Sequence, residues 1–348
     1  MSATASTGTA KPRGLFLGLA TADLIQRVRA LPAPDQKISS QQDLLRAGGP
    51  AANAAVAFAG AHRLLDAQMA LSGAGRPLLL TRLGRDAIAD LVTADLTMHG
   101  VDVHQLAGSA DTRTPIASVL VTEETGERAV ISPARPVSSP VSPPVSSPGP
   151  SPVASPVSTP GSHPAHTLSP TTIANLLDGV EILEWDGWLP ELAEPLLRAA
   201  RDRRILTILD GGSVKPWTAE LLPLVDLAVV SSAFRPVGCD TPASTLDFLA
   251  AHGVRWAAIT QGAHPILLRG ADGTVREVPV PPASPVVSTL GAGDAFHGAL
   301  ARVLAGRRAT DLDDITLIHA LEAASRVTAA VIAHADPRGW LADDAHDV

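Results

Sequence analysis

A run late in the chain, Ser288-Thr289-Leu290-Gly291-Ala292-Gly293-Asp294-Ala295-Phe296-His297-Gly298-Ala299-Leu300, joins a glycine turn, a carboxylate and the start of an alanine-rich helix. Glycine has no Cβ, so its backbone can come close to a ligand and reach positive φ. The first amides of a helix lack intrahelical partners, point outward and carry the positive end of the helix dipole. The amides around Gly291, Ala292 and Gly293 therefore suit a phosphoryl group in transfer. A carboxylate in the same place would repel phosphate unless its task is to take a proton, which makes Asp294 a candidate general base for an acceptor hydroxyl. The same run also fits plain capping, with Asp294 as the cap and the glycines as loop.

The elements around this run read as one large α/β unit. The chain has 348 residues, enough for one large domain or two small ones with an ample core. Aromatic residues make up only 3% and the formal net charge is −8, which argues against a nucleic-acid surface of basic and stacking side chains. The single cysteine, Cys239, cannot form an internal disulfide and fits a reducing cytoplasm. It reads as a loop or core residue, or as a reactive thiol. No apolar run reaches the ~18–20 residues that cross a membrane, and no cluster has zinc-ligand spacing. His252, His264, His297, His319 and His334 are scattered and read as surface or helix residues.

The apolar pattern predicts strands over residues 14–19, 78–83, 116–122, 127–131, 180–185, 205–209, 224–230, 256–260, 266–269 and 274–280, with short strands in 24–44. Helices are predicted over 51–61, 85–99, 190–203 and 243–252, and from Ala292 and Asp311 onward. Apolar strands between helices imply a mostly parallel sheet covered on both faces, with ligands at the carboxyl ends of the strands. Asp23, in the turn after the first strand, would meet Asp186, Asp210, Thr260 and the Gly291 turn there. Residues 1–13 read as a frayed tail and 132–170, with 12 prolines and 11 serines, as a disordered insertion within the domain formed by 14–131 and 171–348. That insertion is either a tolerated surface segment or a docking tether.

Two patches resemble the ribokinase-like (PfkB) carbohydrate kinase family: Gly48-Gly49-Pro50-Ala51-Ala52-Asn53-Ala54-Ala55 and the signature from Thr289 to Gly298. The resemblance covers nearly all of 14–340 outside the insertion and implies a Rossmann-like α/β fold with a small β-lid drawn from residues 26–37 and 116–131. It implies an ATP-dependent kinase with Asp294 as base and Gly291, Ala292 and Gly293 as the anion hole. Asp23, Gly48, Gly49 and Asn53, joined by Asp186, would hold the sugar hydroxyls. Ser231, Thr260, Gly262 and Thr289 would line the nucleotide phosphates and ribose, with His319 beside the adenine. Magnesium would arrive with ATP. A homodimer through the lid strands is implied as well.

Departures from the family pattern carry information. Ser288 stands where the family usually has an Asp that helps bind an activating monovalent cation, which counts against potassium activation. The segment Ser231-Ser232-Ala233-Phe234-Arg235 lacks the Asn-x-x-Glu pattern tied to magnesium and phosphate. Gly49-Pro50 lacks the lysine-containing version found in ribokinases proper, so a ketohexose, its derivative or a nucleoside fits the acceptor better than ribose. A non-catalytic sugar or nucleotide sensor on the same fold is the second reading. A nicotinamide dehydrogenase lacks its Gly-x-Gly-x-x-Gly after the first strand, and no Walker-type loop is present.

Overall fold

Strand β1 (Gly14–Leu17) is buried at every residue and divides the molecule: Phe16 faces one helical layer, while Leu15 and Leu17 face the other. The structure is a computed structural model that describes residues 14–65, 75–106, 112–123, 128–133 and 168–342. The expected tail 1–13, most of the Pro/Ser segment and the first residue of the strand expected over 127–131 lie outside the described residues.

After β1 the chain leaves the large sheet for β2 (Thr21–Val28) and β3 (Gln42–Gly48), then enters helix α1 (Pro50–Gly60) with proline in its first turn. It returns as β4 (Leu78–Thr81), α2 (Ala87–Met98) and β5 (Asp102–Gln105), and then forms the hairpin β6 (Ile116–Thr122) and β7 (Arg128–Ile131). Beyond the insertion come α3 (Pro170–Leu176), β8 (Ile182–Trp185), α4 (Pro190–Asp202), β9 (Leu206–Gly211), α5 (Thr218–Leu221), β10 (Leu227–Ser231) and α6 (Pro242–Ala251). The chain closes with β11 (Trp256–Gln261), β12 (His264–Arg269), β13 (Val275–Val278), α7 (Ala292–Leu304) and α8 (Asp314–Ile332).

The large sheet has nine strands in the order β13-β12-β11-β10-β9-β8-β1-β4-β5. Every pairing from β11 to β5 is parallel, and β12 and β13 add an antiparallel edge. Helices α1, α7 and α8 cover one face, and α4 and α6 the other. Each large apolar side chain buried here contributes roughly 1.5–3 kcal/mol against exposure. A second sheet, β3-β2-β6-β7, forms the lid.

Several expectations change. Asp23 is not in a turn; it lies inside β2, opposite Arg46 of β3 and Ala117 of β6. The lid does not draw a strand from 29–37, because β2 ends at Val28 and its partner begins at Gln42. Strand β5 was not expected: its Asp-Val-His-Gln sequence at a sheet edge carries no apolar run. Pro170, counted with the insertion, is the first residue of α3, which Ser169 caps through its hydroxyl and the amide of Thr172. Among the described residues one helix, α8, passes a length-and-composition test for a membrane span, although Asp314, His319, Glu322 and Arg326 interrupt its apolar sequence. Its Leu317, Leu321, Ala324 and Val327 are buried in the core that α7 shares.

Candidate active site

Asp294 sits on the first turn of α7, and its position is set by how closely α7 approaches α1. A Cβ on Gly298 would fall 2.0 Å from the Ala54 carbonyl oxygen, so only glycine permits this contact. Across it, Asn53 Nδ2 donates to Asp294 Oδ2 at 2.8 Å. Gly291 caps α7 at φ 72°, a left-handed conformation that favours glycine. The Ala292 amide turns back to the Thr289 carbonyl at 3.3 Å, while those of Gly291 and Gly293 have no backbone partner among the described residues. A Cβ on Gly293 would meet nothing within 4 Å. The expected anion hole is thus an open helix end beside a held carboxylate. Burial pushes Asp294 up to about 6, with Asp210 adding to the rise and Asn53 and His297 opposing it. A carboxylate so raised is a stronger base than an exposed aspartate and is still ionised at neutral pH.

Asp23, Gly48 and Gly49 meet at the base of the lid. A Cβ on Gly48 would fall 2.0 Å from the Asp23 carboxylate, and one on Gly49, at φ 94°, would fall 2.5 Å from the Leu19 carbonyl. The paired glycines make room for Asp23 and for the β1–β2 connection. Thr21 Oγ1 donates to Asp23 Oδ1 at 2.5 Å. Burial raises Asp23, and the Thr21 hydroxyl and Arg338 pull it back. Arg338, which the sequence did not single out, is nearly buried. It donates to the Ala47 carbonyl at 2.7 Å and pairs with Asp95 at 3.1 Å. Arg46 joins Asp336 at 2.7 Å, so strand β3 is tied to the end of the chain by two arginines.

The lid rests on the loop before α7. Leu290 packs into the lid's own core of Ile25, Val119 and Val121, and Arg128 of β7 donates to Thr289 Oγ1 at 2.7 Å. Ser288 braces that loop: its hydroxyl accepts from the Leu290 amide at 3.3 Å, and its amide donates to the Ile332 carbonyl at 3.1 Å.

Asp186 follows β8 and binds mainly the protein's own backbone. Its carboxylate accepts from the amides of Leu19 at 2.8 Å, Trp188 at 3.0 Å and Ala51 at 3.4 Å, tying three connections together. Burial pushes it up to about 7 against those donors. Asp210, at the end of β9, is also buried and raised by burial, with His297 and Lys215 pulling it down. Glu184, in β8, is 1% exposed, and neither carboxyl oxygen has a hydrogen-bond partner among the described residues. Burial, then the charges of Asp210, Asp186 and Asp294, push it well above the ordinary range. His297 is not a surface histidine: it is 3% exposed and lies under the first turn of α7. Glu184 and His297 were missed because each is polar within an otherwise apolar run, and its partners come from distant segments.

Aromatic groups gather beside Asp186. The Trp188 and Trp217 rings meet edge to face at 6.2 Å, and Lys215 Nζ stands 4.4 Å over the Trp188 ring. Trp185 Nε1 donates to the Trp188 carbonyl at 2.5 Å and Trp217 Nε1 to the Gly187 carbonyl at 2.8 Å, which fixes this wall.

Ser231 and Thr260 stand side by side at the carboxyl ends of β10 and β11. Ser231 Oγ donates to the Gly212 carbonyl at 3.1 Å and accepts from the Ala233 amide at 3.2 Å, so it shapes its own loop. A Cβ on Gly212 or Gly262 would meet nothing within 4 Å, as at Gly293. Three open glycines, just after β9, just after β11 and in the first turn of α7, leave backbone accessible there. His319 is exposed on α8. Among the described residues no group of three His, Cys, Asp or Glu is arranged to hold a metal ion.

The model of the pfkB family carbohydrate kinases matches residues 13–140 and 213–340, and the chain belongs to that family of kinases. Among solved structures it is similar to a putative ribokinase from Agrobacterium tumefaciens, at 23% identity and a TM-score of 0.67, over 93% of this chain and 92% of that one. It is also similar to the Arabidopsis thaliana ribokinase complexed with ribose and ATP, at 19% identity and a TM-score of 0.64, over 93% of each chain. The adenosine kinase from Sinorhizobium meliloti aligns over 97% of this chain and 98% of that one, at 17% identity and a TM-score of 0.67. The Rossmann-like α/β architecture with its β-lid is thus that of the ribokinase fold.

Proposed function

We propose that the protein transfers the γ-phosphoryl group of ATP to a hydroxyl of a sugar or sugar-like alcohol, with Asp294 as general base. The observation that carries this reading is the Asn53–Asp294 contact at the open amino end of α7. Asp294 takes the proton as the acceptor oxygen attacks, and Asn53 holds the carboxylate in line. The free amides at Gly291 and Gly293 receive charge that builds on the transferred group. Asp23, beside Gly48 and Gly49, accepts hydroxyls of the acceptor, and Asp186 fixes the loops on which it rests. ATP would supply the phosphoryl group, and magnesium bound to it would supply charge neutralisation. The lid, seated on Leu290, keeps water from competing as acceptor. Ser231, Thr260, Gly262 and Thr289 line the phosphates, and His319 stands on the adenine side.

The acceptor is a neutral polyol such as a ketohexose or a nucleoside. The lone cysteine, Cys239, suits a reducing cytoplasm. The lid edges β3 and β7, with Leu45, Val130 and Ile131 exposed, are where a second copy would pair. The test is ADP release from Mg-ATP across a panel of sugars and nucleosides, with wild type beside Asp294→Asn. Acceptor-dependent ADP that disappears in the variant supports the kinase. Silence with sugar or nucleotide still bound would transfer the reading to a sensor.

A further inference from the structure

Strand β3 is an edge of the lid sheet, and one of its residues is gripped from outside that sheet. Ala47 stands opposite Ala22 of β2, but the Ala22 amide donates the other way, to the Pro115 carbonyl at 2.9 Å. Ala47 therefore turns both of its backbone groups outward, where a further strand would pair with them. Among the described residues two side chains take that place. The Ala47 amide donates to Asp95 Oδ2 of α2 at 3.0 Å, and the Ala47 carbonyl accepts from Arg338 Nη2 at 2.7 Å. Arg338 Nη1 closes the ring on the same Asp95 oxygen at 3.1 Å. Both side chains are buried. A buried ion pair is costly to dehydrate, and here its charges meet backbone groups that burial would otherwise leave unpaired. Asp336 steadies the loop from which Arg338 reaches: it accepts from the Arg338 amide at 3.0 Å and from Arg46 Nη2 at 2.7 Å.

We propose that Arg338 and Asp95 are positioning residues for the acceptor: in place of a strand they fix Ala47, and through Gly48 they hold Asp23 where acceptor hydroxyls reach it. The proposal rests on the reading of Asp23 as a group that binds the acceptor. Gly48 follows Ala47 directly, and a Cβ on it would fall 2.0 Å from the Asp23 carboxylate, so a shift of this stretch is a shift against Asp23. A full edge strand would pin the lid along its length. The ion pair grips a single residue at the lid base and leaves Gln42, Asp43 and Leu45 of the same strand exposed.

Steady-state ADP release separates this role from a structural one. For the panel sugar or nucleoside turned over fastest, Arg338→Met should raise the acceptor KM by about 10–100-fold, with kcat and the KM for Mg-ATP within about threefold. Arg338→Lys keeps the charge but not the two-pronged head, and should recover only part of the loss. Should Arg338→Met not fold, Arg338→Lys is read in its place by the same criteria. A mere loss of folded enzyme would lower kcat and leave both KM values in place; that result would reduce the pair to packing and overturn the proposal. A raised acceptor KM in Asp23→Asn beside an unmoved one in Arg338→Met would overturn it too, with the acceptor role of Asp23 intact. An acceptor KM unmoved by Asp23→Asn would instead remove that role, and the positioning with it. Hydrogen exchange at the Ala47 amide needs no acceptor and reads the grip itself. Arg338→Met should speed it about tenfold or more while the β1 amides are unaffected, and unchanged exchange would overturn the proposal.

Discussion

The two glycine pairs of this molecule do opposite work. Gly48 and Gly49 are closed in: added Cβ atoms would strike the Asp23 carboxylate and the Leu19 carbonyl, so the missing side chains make room for the protein itself. Gly293 faces empty space, and the nearest atoms to a Cβ on Gly291 are 4.0 Å away, so there the missing side chains make room for something else. Similar letters in sequence mark an internal joint at the lid base and an open surface at the amino end of α7, the acceptor and phosphate sides of the proposed reaction.

Substitutions can break or sharpen this contrast. Asp294→Asn should lower phosphoryl transfer by ~10²–10⁴-fold while nucleotide affinity stays within a few fold, read by ADP release and titration. Unchanged turnover would take Asp294 out of the base role. Gly293→Ala should leave the melting temperature at or above wild type and cost ~10²-fold in turnover, because a methyl group displaces the transferred group rather than any part of the fold. A stable variant with normal turnover would show that nothing approaches that amide. Gly48→Ala should behave in the opposite way, losing ~1–3 kcal/mol of stability in denaturant titration and raising the acceptor KM through a displaced Asp23. Smallest of all, Asn53→Ala should move the acid limb of kcat/KM upward from about 6, because the lost donor had held Asp294 down. A limb that stays in place or falls would mean that Asn53 does not act on the base.

Local signals made part of the site legible before any coordinates. The glycine turn, the carboxylate one step into α7 and the proline at the start of α1 all act within a few residues of chain. Strand-helix alternation likewise carried the parallel sheet, because buried strands are continuous apolar runs. What escaped depends on partners far apart in sequence. Asp23 reads as a turn residue since only Gly18, Leu19 and Ala20 separate β1 from β2, and nothing in that stretch announces that the chain changes sheets. Gly298 gives no sign that it faces Ala54, nor His297 that it bridges β9 and β10. Arg338 sits in a short polar stretch near the end of the chain, yet it reaches the Ala47 carbonyl at the lid base.

The tryptophan wall beside Asp186 has a practical consequence. Of the five tryptophans in the chain, Trp185, Trp188 and Trp217 cluster at the carboxyl ends of β8 and β9, where Lys215 lies over one ring. There is no tyrosine to contribute background emission. The protein therefore carries its own optical probe: occupancy of the crevice should alter intrinsic fluorescence without any attached dye, and stopped-flow mixing could time acceptor arrival separately from turnover.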